Sequence, residues 1–488
     1  MTILLEGHGY RYGVEQMLFT LFPGEKPKTV DVMPEPLPEQ YIRSTLVEEN
    51  GRFSAVTELR NQGQTVTGRA DCPVPDDIDP LAYTREGQKA VKLAFYRAAL
   101  ALLPKPRWGA LTGVRPVKLA TRILKQGGDW DAAKANLMEE FDVDEQEAAL
   151  AAICAVYAYD ADKRLAPQDI ALYVGIPFCP TRCAYCSFVS AAVGRETRLL
   201  APYLEALRQE LAALGESVKR QGAVVRSVYI GGGTPTTLDG QQLAALLAQI
   251  CAGFDLSACA EFTLEAGRPD TITAEKLTVL ADFPVTRISV NPQTMHESTL
   301  KTIGRSHTAA QTREAFALVA AHAPKLLVNA DLIMGLPGET ADIFRQSLDE
   351  LLALAPANIT VHTLAIKRSA DLTAHSVTRE TLENMYAYSL KALQENGYRP
   401  YYLYRQKDMG GSFANIGWTK PAGESLYNLS MMEELCTTVA VGGTGISKLV
   451  NRSSGKISRL NNPKYPTEYV ARIAHTIEEK ENTSWLIN

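Results

Sequence analysis

Histidine and cysteine are scarce in this chain, 7 and 8 among 488 residues. So few cysteines over that length exclude a disulfide scaffold and leave the fold to its apolar core. A surplus of one charge is also missing: 50 Lys and Arg face 55 Asp and Glu, a net charge of −5, which points away from a nucleic-acid partner. No apolar run is long enough to cross a bilayer. The opening Met-Thr-Ile-Leu-Leu-Glu-Gly-His lacks the basic n-region and the cleavage pattern of a secretory signal. The expectation is a monomeric cytoplasmic chain with reduced thiols, no membrane span and no nucleic acid. Internal repeats and low-complexity segments are absent.

What is present is concentrated in one loop. Cys179, Cys183 and Cys186 stand in Tyr-Val-Gly-Ile-Pro-Phe-Cys-Pro-Thr-Arg-Cys-Ala-Tyr-Cys, a C-x3-C-x2-C spacing. Three thiolates can hold three irons of a [4Fe–4S] cube and leave the fourth iron open for chemistry. Half a zinc site or a redox C-x2-C pair are the alternatives. Zinc asks for a fourth Cys or His nearby, and the first histidine after the motif is His296; a redox pair needs no third cysteine. The other five cysteines (Cys72, Cys154, Cys251, Cys259, Cys436) are scattered among apolar neighbours and read as small buried hydrophobes.

Local patterns predict an α/β chain in three parts: 1–165, 166–375 and 376–488. In the first, Asn50-Gly51 and Gln62-Gly63 separate alternating segments into two hairpins, and a helix over 85–103 ends before Pro104. A further helix starts after Pro116, and another covers 145–160. From residue 170, short apolar runs alternate with helical stretches. Strands are expected at 170–176, 227–230, 261–265, 286–291, 326–333 and 359–364, with helices between them. Alternation of this kind predicts parallel βαβ units. Six units fall short of the eight that close a full barrel, so an open, partial barrel follows, with its site at the carboxyl ends of the strands. The last part reads as a helix over 379–396, a Gly-rich stretch and a helix near 466–480.

The remaining motifs fall at those strand ends. Gly231-Gly-Gly-Thr-Pro-Thr follows the second strand, and its glycines let a ligand approach the backbone. Glu265 ends the third strand and could bind an ammonium or a hydroxyl, or pair with Arg268. Gln293 and Arg305 follow the fourth strand, as a hydrogen-bonding amide and a bidentate clamp. Asp331 lies low in the fifth strand, where a buried carboxylate needs partners. His362 on the sixth strand is a weak candidate. Lys367, Arg368, Arg405 and Lys407 are the cations available to line the mouth.

Over about residues 170–450 these motifs together resemble the radical S-adenosylmethionine (SAM) proteins related to oxygen-independent coproporphyrinogen III oxidase. Leu-Thr-Gly-Val-Arg-Pro near residue 111, Tyr404-Arg-Gln-Lys and Glu424-Ser-Leu-Tyr-Asn are similar to the branch of coproporphyrinogen dehydrogenases of the HemZ type. The resemblance implies a partial (β/α)6 barrel and a [4Fe–4S] cluster on Cys179, Cys183 and Cys186. It implies that Tyr173, Gly232 and Glu265 contact the SAM on the open iron. Tyr185, Gly233, Thr234, Gln293, Arg305, Asp331 and Ala365 match a second SAM pocket. It implies oxidative decarboxylation of coproporphyrinogen III in porphyrin and heme biosynthesis, with a reduced flavodoxin or ferredoxin as electron donor. The alternatives are a heme chaperone and a radical methyltransferase. Three positions depart from the pattern. Gly175 stands where the family's opening motif has His, and Phe188 where the oxidase has a further Cys. Tyr427-Asn-Leu-Ser-Met-Met replaces the chaperones' His-Asn-x-x-Tyr-Trp.

Overall fold

The computed structural model describes residues 1–74, 80–188, 190–192, 197–365, 377–406 and 413–487. It divides into two compact units, 1–152 with 405–412, and 153–404 with 413–488. In the first, a sheet has the order β2-β1-β3-β4-β5, formed by β1 (Thr2–Glu6), β2 (Lys28–Val30), β3 (Tyr41–Glu49), β4 (Arg52–Asn61) and β5 (Gln64–Pro73). Both hairpin turns carry positive φ at their two central residues: Asn50 and Gly51, then Gln62 and Gly63. That geometry matches the twist of the paired strands, which is why the Asn-Gly signal was legible. The helices Arg11–Leu21 and Pro80–Ala99 cover the sheet through Val14, Met17, Leu18, Val91, Ala94 and Phe95.

The second unit is built on six parallel strands in chain order: β6 (Asp169–Ile176), β9 (Val224–Gly232), β10 (Glu261–Glu265), β11 (Arg287–Ser289), β12 (Leu327–Met334) and β13 (Asn358–Thr363). The short pair β7 (Phe178–Cys179) and β8 (Ala191–Ala192) lies between the first two of them in the chain. The helices Leu200–Arg220, Gly240–Gly253, Ala274–Ala281, Ala309–His322 and Ala341–Ala353 intervene as expected. Several begin on side-chain caps, with full capping boxes at Asp239/Gln242 and Thr308/Gln311. The result is the expected α/β partial barrel.

The carboxyl-terminal segment completes the same sheet. β14 (Arg399–Arg405) and β15 (Ala414–Thr419) extend the edge at β13. β16 (Thr437–Val441) pairs parallel with β6, followed by β17 (Ile446–Val450) and β18 (Ile457–Asn461). These strands were not foreseen one by one. Nor was the helix Trp130–Phe141, which Gly127-Gly128 and the Asp129 N-cap announce, the Asp129 carboxylate accepting from Ala132 N at 2.9 Å.

A cluster of polar groups lies at the strands' amino ends. Arg287 on β11 donates to Asn329 Oδ1 at 2.7 Å, to Asn358 and to the Gly423 carbonyl at 2.9 Å. Glu261 lies 3.8 Å from it and accepts from Ser425 Oγ at 2.8 Å and Leu426 N at 2.7 Å. This cluster leaves the carboxyl ends as the barrel's open face.

Candidate functional site

Cys179 closes β7, and Cys183 and Cys186 follow on the same loop. All three are free thiols at intermediate exposure, while Cys72, Cys154 and Cys436 are buried and Cys251 and Cys259 partly so. The loop is held from three directions. Ala184 N donates to the Ile303 carbonyl at 3.0 Å, Cys186 N to the Cys183 carbonyl at 3.1 Å, and Thr234 Oγ1 to Cys179 Sγ at 3.5 Å. Phe178 is fully buried, edge-on to Tyr203 with centroids 5.1 Å apart. Burial pushes the thiols of Cys179 and Cys186 above the ordinary cysteine range.

The glycine run at the end of β9 lies directly against this loop. Gly233 N donates to the Ile176 carbonyl at 2.8 Å and Thr234 N to the Phe178 carbonyl at 2.7 Å. A Cβ on Gly233 would stand 2.5 Å from the Phe178 carbonyl oxygen, and one on Gly231 2.5 Å from Glu265 Oε2. Gly232 has φ +110°, and Tyr173 Oη lies within 3.2 Å of where its Cβ would be. Tyr173, the glycines and Glu265 are therefore brought together.

Glu265 does not pair with Arg268, which turns instead to Asp270. Burial first, and the Asp331 carboxylate second, push the Glu265 carboxyl up to about 7, against the pull of the Gly232 amide and the Tyr229 hydroxyl. Tyr173, Tyr229 and Tyr427 form a stacked row, with centroids 6.3 and 4.5 Å apart.

Gln293 follows β11 with φ +68°, a conformation rare outside glycine. Its backbone bridges to β12, N to the Asp331 carbonyl and O from Ile333 N, both at 2.9 Å. Its buried Oε1, the Asn291 Oδ1 and the Arg305 Nε have no hydrogen-bond partner among the described residues. Arg305 donates to Tyr185 Oη at 3.0 Å and to the Asn291 and Gly267 carbonyls at 2.7 and 3.2 Å. Asp331 lies in mid-strand, but its side chain keeps 25% exposure, with His362 Nε2 3.9 Å away. His362 is in turn 3.4 Å from Tyr404 Oη. Ala365 lies two residues beyond β13, partly exposed.

One mouth cation needs correcting. Arg405 is 8% exposed within the first unit, its guanidinium 5.2 Å from the Trp108 ring and donating to the Leu111 and Gly113 carbonyls at 2.6 and 3.2 Å. Charge alone suggested exposure, but an aromatic face and backbone carbonyls offset its burial. Lys367, Arg368 and Lys407 lie outside the described residues. The sequence offered Arg268 only as a partner for Glu265 and gave Tyr229 no part; neither carried a motif signal, and Arg268 reaches the cysteine loop instead.

The departure at Gly175 has a physical cause. A Cβ there would stand 2.7 Å from the Gly443 carbonyl oxygen and 3.3 Å from that of Val441. The backbone after β16 thus fills the space that a histidine side chain would need. Gly175→Ala is expected to lower stability by about 1–3 kcal/mol, read as a shift in the denaturation midpoint; an unchanged midpoint contradicts this packing.

Residues 173–351 match the family described as the Radical SAM superfamily. The oxygen-independent coproporphyrinogen-III oxidase-like protein HemZ of Bacillus subtilis (strain 168) is 39% identical over 382 residues, 77% of this chain and 76% of that protein. The heme chaperone HemW of Lactococcus lactis subsp. lactis (strain IL1403) is 32% identical over 236 residues, 47% of this chain and 60% of that one. The solved coproporphyrinogen III oxidase HemN of Escherichia coli has a TM-score of 0.49 at 23% identity, covering 68% of this chain and 74% of its own. The barrel and its cysteine loop are those of a radical SAM protein. Within that superfamily the chain belongs to the family of HemZ, the oxygen-independent coproporphyrinogen-III oxidase-like proteins.

That membership implies a [4Fe–4S] cluster and SAM. The residues present fit both. Three uncommitted thiols share one loop, beside a glycine backbone with a carboxylate across from it. Among the described residues no three His, Cys, Asp or Glu side chains converge as ligands of a single ion. A cube asks less of them, one thiolate for each of three irons. No described helix is long and apolar enough to cross a membrane.

Proposed function

We propose that this chain is a radical SAM oxidoreductase that converts propionate side chains of coproporphyrinogen III to vinyl groups without oxygen, yielding protoporphyrinogen IX. The observation that carries the reading is the meeting of three free, partly buried thiols with the Gly231–Gly233 backbone and Glu265 at the open end of the barrel. The likeness to HemZ over three quarters of both chains supplies the substrate class.

When bound, the cluster and SAM supply a 5′-deoxyadenosyl radical that removes one hydrogen from the propionate β-carbon. Net, the propionate would lose that hydrogen atom, CO2 and one electron to an external acceptor, leaving the double bond. Cys179, Cys183 and Cys186 would hold the irons. Gly232, whose amide is held by Glu265, would offer room for a close approach, and Glu265, with Tyr173 beside it, would accept hydrogen bonds from the cofactor's polar end. The stacked row of the partly buried Tyr173 and Tyr229 with the buried Tyr427, together with the buried Phe178, would limit water at the reacting centre. Gln293, Arg305, Tyr185, Gly233, Thr234, Asp331 and Ala365 are assigned to a second SAM; the unpartnered Gln293 Oε1 and Arg305 Nε support an occupant there. Loaded with a second SAM, such a pocket also suits methyl transfer. A reduced flavodoxin or ferredoxin is the donor in this reading, and the chain works as a monomer in the cytoplasm.

Heme delivery is the second reading, favoured by the HemW relatives. Against it, Tyr427 is 5% exposed and stacked on Tyr229 rather than free to meet heme. Met431 Sδ lies 3.1 Å from Lys448 Nζ. Anaerobic incubation of reduced protein with SAM and coproporphyrinogen III is expected to give vinyl products by mass spectrometry. Unchanged porphyrinogen beside a Soret band on heme addition would favour delivery.

The Glu265 carboxyl gives this reading a pH dependence. An ionised carboxylate accepts ammonium and hydroxyl donors, and a protonated one is a poor acceptor. With its pKa near 7, SAM affinity is expected to fall about tenfold per pH unit below that point. Equilibrium dialysis across the range checks this, and Glu265→Gln should bind weakly without the slope. The linked effect on stability has the opposite sense. Because the folded value is raised from 4.5 to about 7, the stability this carboxyl contributes is full below 4.5 and is lost as pH rises through 7.

A further inference from the structure

We propose that Arg268 is a positioning residue that sets the reduction potential of the cluster through the sulfur of Cys183. The proposal rests on the cysteine triad holding that cluster. Arg268 follows β10 and is 2% exposed. Its Nη1 donates to Thr181 Oγ1 at 3.0 Å and reaches Cys183 Sγ at 4.0 Å, the outer limit for sulfur. Nε and Nη2 pair with the two oxygens of Asp270, each at 3.1 Å. Nη2 also donates to Ser306 Oγ at 2.6 Å, and Ser306 Oγ donates to Asp270 Oδ2 at 3.0 Å. One planar fork thus ties the cysteine loop to the loops after β10 and β11, a task that a lysine's single ammonium cannot copy.

The consequence is electrostatic. A cube held by three thiolates is anionic, and reduction adds another negative charge. A desolvated guanidinium hydrogen-bonded to one thiolate stabilises the reduced form more than the oxidised one, raising the potential. Asp270 opposes it by neutralising part of that charge. The two residues therefore act with opposite signs, although both hold the same loop in place.

The test is an anaerobic redox titration of the full-length reconstituted protein without SAM, followed by electron paramagnetic resonance, with iron content measured in parallel. Arg268→Gln is expected to shift the potential to more negative values and Asp270→Asn to more positive ones. Arg268→Lys should fall between wild type and Arg268→Gln. Shifts of the same sign, or no shift with full iron content, overturn the role. So does loss of the cluster from both variants, because that is what a purely structural buckle predicts. A wild-type chain that takes up no iron overturns the triad itself, a separate outcome from an unmoved potential.

Discussion

Cys186→Ala is expected to leave a folded chain that holds little or no intact cluster and cleaves no SAM. The reasoning combines exposure with ligand count. Cys186 is only partly buried and lies in a loop, so removing its sulfur should change stability by no more than about 0.5 kcal/mol. On the proposed assignment a cube would be held by three protein thiolates, and losing one would leave a second iron without a ligand. Iron and sulfide analysis after anaerobic reconstitution reads the effect, with circular dichroism as the check on folding. Cys154→Ala is the control. That thiol is fully buried in the helix Glu145–Lys163, and burial holds it well above the ordinary range. It should cost stability and keep the iron. Iron retained at the wild-type level in Cys186→Ala would contradict the site.

Lys480→Met should destabilise the barrel by about 3–5 kcal/mol, because it leaves a buried carboxylate without its countercharge. Glu210 is 0% exposed and Lys480 1%. Lys480 pairs with Glu210 and also donates to the Ala440 carbonyl. Burial pulls the lysine below its ordinary range, against the raising influence of Glu210. The same carboxylate accepts from Gly442 N at 2.7 Å, from Asn462 Nδ2 at 2.8 Å and from Tyr469 Oη. These bonds fix the turn after β16, and Tyr203 Oη completes the clamp, accepting from Gly443 N at 2.7 Å and donating to the Gly175 carbonyl at 2.6 Å. The network therefore holds the backbone that excludes a side chain at residue 175, immediately before the cysteine loop. Adding Glu210→Gln to Lys480→Met should recover much of the loss, since the uncompensated charge is gone. Denaturant midpoints of the two variants settle it; a loss under about 1 kcal/mol in the single variant would show that the pair carries little.

The six parallel strands were legible because each signal is local: an apolar run, a glycine or proline, then an amphipathic helix with its cap. The gathering of the three cysteines on one loop was legible because a few consecutive residues set it. What was not legible depends on partners distant in the chain. β16 lies beside β6, with Thr437 paired to Ile170 far earlier in the chain, and nothing in Thr437–Val441 names that partner. Arg268 and Glu265 are close enough in sequence to suggest a pair. Yet Glu265 turns toward Gly231 and Tyr229, and Arg268 toward Thr181 and Ser306. Arg405 carried only its charge in the sequence; the Trp108 ring and two carbonyls decided its burial. At Gly175 the sequence showed that histidine is missing, and only the approach of Gly443 shows why.

The central claim is that radical chemistry starts at Cys179, Cys183 and Cys186 and is directed at a tetrapyrrole propionate. Its most direct test is an anaerobic turnover with coproporphyrinogen III deuterated at the propionate β-carbons, reading 5′-deoxyadenosine by mass spectrometry. The account predicts 5′-deoxyadenosine that carries deuterium, formed together with vinyl product. Unlabelled 5′-deoxyadenosine, or none at all, with the porphyrinogen intact would contradict it.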